Sequence, residues 1–249
     1  MGGLTVLKSL RRELPEERFI YLGDTARLPY GTKSATTVRR YAEQAASQLV
    51  DRGVKALVIA CNTASAFALQ HLTEKFSPLP VYGVVQPGAE AAARVADNSG
   101  VLVLATESTI NGGAYQRALT EADSALKIYA RPCPLWVTLA EQGPLDAAVT
   151  RHLLEHYLRG FTGCPSTVLL GCTHFPVFKS AIQTITRSTI VDSADTTALS
   201  VKSSLAELEL LGSDSATVEF YATDGVARFR QVGAHFLGEP IDEVALVDL

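Results

Sequence analysis

Short apolar runs alternate with longer stretches of helical period along almost the whole chain. Residues 4–14 carry helical spacing, 17–22 read as a strand, and 36–52 form an amphipathic helix stopped by Gly53. The run at 55–60 predicts a buried strand, 64–76 a helix and 81–85 another strand, with a turn at Gln86-Pro87-Gly88. An alanine-rich helix over 89–97 and a strand over 101–105 restart the series. It continues through a helix near 115–121, a strand at 126–130, a helix at 145–160, a strand at 167–170 and a helix from 175. A strand at 189–191, a helix at 196–211, a strand at 217–222 and a helix at 226–237 complete it. Alternation of this kind predicts βα units and mainly parallel sheets.

Two of the predicted strands end alike. Ala56-Leu57-Val58-Ile59-Ala60-Cys61-Asn62-Thr63-Ala64-Ser65 and Thr167-Val168-Leu169-Leu170-Gly171-Cys172-Thr173-His174-Phe175-Pro176 each run from an apolar strand through a cysteine into a hydroxyl-bearing turn. At the carboxyl ends of parallel strands both sulfurs lie where open α/β sheets bind ligands, beside helix amino termini that favour anions and thiolates. The cysteines stand 172 − 61 = 111 residues apart, about one α/β lobe, which favours two similar lobes with a cleft between them. Two thiols facing one cleft form a pair of acid/base groups. Taken alone, Cys61 reads as a buried inert cysteine, because free cysteine is among the most buried residue types. Cys133, between Pro132 and Pro134, and Cys164, beside Pro165, lack this setting and read as structural or surface residues.

Composition narrows the class. With 249 residues and 47% hydrophobic content the chain can bury a large core. The net charge of −4 and absence of any Lys/Arg run give no electrostatic footprint for nucleic acid. Four cysteines without CxxC spacing suit free thiols in a reducing cytosol better than a disulfide framework or a metal site. Neither a secretory signal nor an apolar run of transmembrane length is seen, so the expectation is a soluble cytoplasmic protein with no membrane partner. His152-Leu153-Leu154-Glu155-His156 fits an HxxEH zinc pattern, but it sits in an amphipathic helix with no third ligand and reads as a solvated polar face.

At its two cysteine turns the chain resembles the glutamate racemases of the cofactor-independent aspartate/glutamate racemase superfamily. Further matching segments are Gly2-Gly3-Leu4-Thr5-Val6, the run from Tyr21 through Asp24 and Pro29-Tyr30-Gly31 to Lys33, Thr109-Ile110, Glu141-Gln142-Gly143 and Val191-Asp192-Ser193. The resemblance implies two α/β lobes, residues 1–86 plus 194–249 and residues 87–193, with glutamate enclosed between them. It implies that no cofactor or metal is needed, that Cys61 and Cys172 are the two bases, and that Glu141 and His174 assist near the second. Tyr30, Gly31, Asn62, Thr63, Thr109, Thr173 and His174 match the substrate contacts. Without the resemblance, Asp24 reads as organising a turn, Tyr30 as a packing aromatic, Thr109 as a helix cap and Glu141 as part of a loop. D-Glutamate supply for peptidoglycan is the implied role, and a homodimer is compatible with it.

The chemistry suits these residues. Inverting an α-carbon without a cofactor requires one group to remove a proton and an opposed group to deliver another. A thiol of ordinary pKa near ~8.5 is moved toward working pH by a helix amino terminus or cation, and each acid/base group contributes about 10²–10⁴-fold. The hydroxyls of Thr63 and Thr173 and the helix amino termini are suited to charge developing on the substrate carboxylate, and lobe closure excludes water.

The resemblance also shows a departure. The family's usual opening is a strand followed by Asp-Ser-Gly-Val-Gly-Gly-Leu-Thr-Val, whereas this sequence starts at Met1-Gly2-Gly3-Leu4. Met1 stands where the family has valine, and a valine codon also serves as a start codon, so the expectation is that the true start lies upstream. Loss of a strand of about five residues forfeits several kcal/mol from a total of about 5–15 kcal/mol, so weak stability and weak activity are expected of the shorter chain. Gln86 replaces the usual glutamate before Pro-Gly, a milder departure. The competing readings are an aspartate or hydantoin racemase with other side-chain anchors, and a non-catalytic binding protein on the same scaffold, some relatives being reported to bind DNA gyrase.

Overall fold

The computed structural model describes residues 1–143, 146–161, 165–213 and 217–249. In chain order its elements are α1 (Leu4–Glu13), β1 (Phe19–Gly23), α2 (Ala35–Val50), β2 (Leu57–Ile59), α3 (Asn62–Lys75), β3 (Val81–Gly83) and α4 (Val85–Val95). Then come β4 (Val101–Ala105), α5 (Glu107–Asn111), α6 (Ala114–Ala122), β5 (Ile128–Pro132), α7 (Pro134–Glu141), α8 (Ala147–Leu158) and β6 (Thr167–Gly171). The last are α9 (Lys179–Thr186), β7 (Thr189–Asp192), α10 (Ser193–Glu207), β8 (Val218–Ala222), α11 (Val226–Leu237) and β9 (Ala245–Leu246). Short 3-10 turns occupy Thr25–Arg27, Tyr30–Thr32 and Phe175–Phe178.

The expected α/β class holds, and every described strand pair is parallel. One four-stranded sheet has the order β5-β4-β6-β7. Its inner strands, Val-Leu-Val-Leu-Ala and Thr-Val-Leu-Leu-Gly, are buried at every position, as strands covered on both faces must be. The other strands form two pieces, β1-β8-β9 and β2-β3.

Differences from the sequence reading have local causes. The helix expected at 89–97 begins at Val85, because Pro87 falls in its first turn, where a missing N–H leaves no helical bond unmade. The helix expected at 196–211 begins at Ser193, since the Asp192 side chain caps it by accepting the Asp195 N–H at 3.0 Å. The helix expected from 175 is a 3-10 turn first and becomes α9 only at Lys179. The strand read at 126–130 lies two residues later, at 128–132. Neither α5 nor α7 was expected: α7 follows the Pro132-Cys133-Pro134 punctuation and uses Pro134 in its first turn. The helix expected over 145–160 spans Ala147–Leu158, capped by Asp146, and Leu145 lies outside the described residues.

The strand expected at 55–60 is trimmed to Leu57–Ile59 and that at 81–85 to Val81–Gly83. Their sheet is interrupted. No ladder joins β1 to β2 among the described residues, and cavities of about 470 and 680 Å³ lie on the two sides of the gap. Ile20, Tyr21, Leu57 and Val58 line both, so the facing strand edges bound an apolar slot. Unpaired edges of this kind are templates for a further strand. Adding ahead of Met1 a segment of five to six alternating β-branched residues is expected to fill the slot and raise the unfolding temperature by about 5–10 °C. Calorimetry of the two chains checks this, and an unchanged temperature would contradict it.

Candidate active site

The larger-scale order of the sheets brings four strand ends together. Asp24 follows β1, Cys61 follows β2, Thr106 follows β4 and Cys172 follows β6, and all four border the cavity of about 470 Å³. Both cysteines therefore open into one cavity, and Cys172 is close enough to feel the charge of Cys61.

On the first side, Cys61 is the N-cap of α3 and its sulfur accepts the Ala64 N–H at 3.5 Å. Ser65 locks this turn by donating to the Ile59 carbonyl at 2.9 Å and accepting the Val84 N–H at 3.2 Å. The buried Asn62 accepts a hydrogen bond from the Tyr115 hydroxyl at 2.5 Å and donates to Ser193 Oγ at 3.4 Å, so its side chain is held by protein partners. Thr63, Thr106 and Thr109 form a closed triangle of hydroxyls with edges of 3.1, 3.1 and 3.0 Å. Thr109 lies within α5 and does not cap it; Thr106 stands at the cap position. Thr106 escaped the sequence reading, although its place directly after the strand predicted at 101–105 is the signal that singled out the cysteines.

On the second side, Cys172 Sγ lies 3.7 Å from His174 Nδ1, and His174 Nε2 lies 3.0 Å from Glu141 Oε1. Glu141 is the last residue of α7 rather than part of a loop. Trp136, fully buried on α7, packs edge-on against Phe175 and Phe178 at 5.1 and 6.0 Å, which fixes that helix to the turn carrying Cys172 and His174. Thr173 is buried, and its carbonyl accepts the Thr5 hydroxyl at 2.8 Å. Gly2 lies against this turn, where a Cβ would stand 2.4 Å from His174 Nδ1, so only glycine fits.

At the rim, the Tyr30 hydroxyl donates to Asp24 Oδ2 at 2.5 Å and Thr223 donates to Asp24 Oδ1 at 3.0 Å, so Asp24 orients Tyr30 as well as its own turn. Gly31 abuts the Thr106 side chain, which a Cβ would meet at 2.9 Å, and its carbonyl accepts from Ser108. Cys133 is buried with its thiol 3.6 Å from the Arg131 carbonyl; Cys164 lies outside the described residues. His152 Nδ1 lies 2.8 Å from the Ala148 carbonyl on its own helix, and no group of three or more metal-ligating side chains occurs among the described residues. No helix among them is long and apolar enough to cross a membrane.

Electrostatically, the thiols depart from the expectation of lowered pKa values. Burial pushes Cys172 up to about 12, opposed by the His174 backbone N–H, while the charges of Cys61 and Glu141 raise it further. Cys61 is only partly buried, yet desolvation raises it too, against the N–H groups of Ala64 and Thr63. Desolvation of the thiolate thus outweighs the helix amino terminus. Burial likewise lowers His174, so its imidazole is neutral near pH 7 and Nε2–H donates to the Glu141 carboxylate. Burial alone would raise Glu141, but the His174 hydrogen bond and nearby positive charge hold it below its ordinary value. With Nε2 carrying the proton, Nδ1 offers a lone pair toward Cys172. The site therefore combines two thiols on one cavity, an imidazole beside one of them, and a collar of hydroxyls and helix N–H groups.

Comparison with known proteins gives a consistent picture. Residues 3–201 match the sequence profile of the Asp/Glu/hydantoin racemases. The chain is 44% identical over 254 residues to a glutamate racemase of Geobacter metallireducens, covering 100% of this chain and 94% of that one. A glutamate racemase of Bacillus anthracis superposes with a TM-score of 0.94 at 36% identity, over 100% of this chain and 94% of that chain. A glutamate racemase of Francisella tularensis, crystallised with D-glutamate, gives 0.92 at 35% identity, over 99% and 94%.

Replacing Thr109 by valine keeps the side-chain shape but leaves the hydroxyls of the buried Thr63 and the partly buried Thr106 each short of one partner. A loss of about 1–2 kcal/mol in unfolding free energy is expected by denaturant titration. A change below ~0.3 kcal/mol would show that the triangle contributes nothing.

Proposed function

The chain belongs to the Asp/Glu/hydantoin racemase family and is a racemase, and from that premise we propose that it interconverts L- and D-glutamate by proton transfer between Cys61 and Cys172. The observation that carries this reading is the pair of sulfurs at equivalent strand ends in one cavity, each with a threonine, Thr63 or Thr173, nearby on the cavity wall. Similarity to glutamate racemases over the full chain favours glutamate over aspartate or a hydantoin.

One thiol enters each turnover as thiolate and takes the α-proton; the bond electrons move onto the substrate carboxylate. The opposed thiol then gives its proton to the other face of the α-carbon and is left as thiolate, ready for the reverse direction. On the Cys172 side the lone pair of His174 Nδ1 is placed to take the thiol proton, and the resulting imidazolium is stabilised by Glu141. On the Cys61 side the amino terminus of α3 stabilises the thiolate and the developing charge on the substrate carboxylate. Tyr30, Gly31 and Thr173 border the same cavity and fit the substrate's remaining polar groups. D-Glutamate made in this way suits peptidoglycan synthesis in the cytoplasm.

Two lobes closing on the substrate account for water exclusion. The sheet order supports assigning β1–β3 with β8 and β9 to one lobe and β4–β7 to the other. The division at residue 86/87 is better drawn before Val85, since α4 is continuous across it.

Racemisation followed by circular dichroism should fall at least ~100-fold in Cys61→Ser and in Cys172→Ser, with glutamate preferred over aspartate in the parent. Activity retained in either variant would overturn the assignment of the two bases.

A further inference from the structure

The carboxyl-terminal helix α11 belongs to the β1–β8 side of the molecule: Phe229 packs against Tyr21 and Phe220 with ring centroids 6.0 and 6.5 Å apart. Two other residues of the same helix reach across to the Cys172 side. Phe236 meets the His174 ring edge-on at 5.1 Å and 83°, and Arg228 Nη2 lies 3.6 Å from Glu141 Oε2, the oxygen not used by His174. The carboxylate therefore bridges an imidazole from the turn after β6 and a guanidinium from α11. Nothing in the sequence marks Arg228, which sits on an ordinary amphipathic helix far from either cysteine.

We propose that Arg228 is a positioning residue for the Cys172 side, holding the Glu141 carboxylate from α11 so that His174 presents Nδ1 to the sulfur. This rests on the reading of Cys172 as a proton-transfer group. The exposed Arg228 makes a pair that would ordinarily contribute at most about 1 kcal/mol to stability. Its effect on chemistry is separable from that. The charged and titratable groups around Glu141 are His174, Arg228 and the buried Met1 amino group; those around Cys172 are His174, Glu141, Cys61, Tyr115, Cys133 and the same amino group. The Glu141 charge disfavours a thiolate at Cys172, and Arg228 is the cation that compensates it from α11. Removing Arg228 leaves that negative field less balanced and frees the carboxylate to swing, and both effects make the Cys172 thiolate harder to form.

The test compares the parent chain with Arg228→Gln and Arg228→Lys. Racemisation kcat/KM in the Gln variant is expected to fall about 5–20-fold with KM changed less than about twofold and the rising limb of the pH profile moved to higher pH. Alkylation by iodoacetamide at about pH 7.5, read by peptide mapping, should slow at Cys172 about threefold or more and stay unchanged at Cys61, with Lys restoring most of the rate. Equal alkylation of Cys172 in parent and Gln variant, or equal slowing at both cysteines, would overturn the proposal. A parent that alkylates as expected but does not racemise glutamate would instead refute the proposed function, and the alkylation comparison still decides the role of Arg228.

Discussion

Burying a thiol at a strand end makes its proton harder to remove, and the architecture around the cleft is the set of means by which that penalty is met. Cys61 has the amino terminus of a 14-residue helix, with the Ala64 N–H aimed at its sulfur. Cys172 has no helix of that length at its back, since a 3-10 turn follows it, and instead has an imidazole anchored by a carboxylate. The two sulfurs occupy equivalent topological positions but are supported by different chemistry. The proposed mechanism tolerates such asymmetry, because in it each thiol acts as acid in one direction and base in the other.

The fold delivers this arrangement through parallel strands whose carboxyl ends converge. The sheet containing β4 and β6 is buried throughout and holds its two strand ends, Thr106 and Cys172, on a rigid base. The other base is split, with β1 and β2 separated by an apolar slot that is continuous with the cleft. Cys61 stands at the end of a three-residue strand paired on one edge alone among the described residues, so its position depends on how that slot is filled. A positional error of an ångström matters in proton transfer, which ties stability of the split sheet to turnover.

Much of this was legible in the sequence, for identifiable reasons. The order of strands and helices followed from apolar runs and helical periods, and the cysteine turns stood out because each follows an apolar run, fully buried in β6 but only half-buried in β2, whose outer edge faces the slot. Boundaries shifted where capping decided them, as at Asp192, or where proline sat inside a first turn, as at Pro87 and Pro134. The lowered thiol pKa values inferred from helix termini were not found, because the depth of burial is a tertiary property. Arg228 was invisible for a related reason: its partner Glu141 is 87 residues away in sequence, and only the fold brings the two together.

The central claim, that hydrogen leaves one face to one sulfur and arrives on the other face from the second, is tested most directly by the isotope content of the first product formed in D₂O. Starting from unlabelled L-glutamate, two opposed bases require the initial D-glutamate to carry deuterium at its α-carbon while the remaining L-glutamate still carries protium. Early D-glutamate retaining the substrate's own protium would show a single group serving both faces and contradict the account.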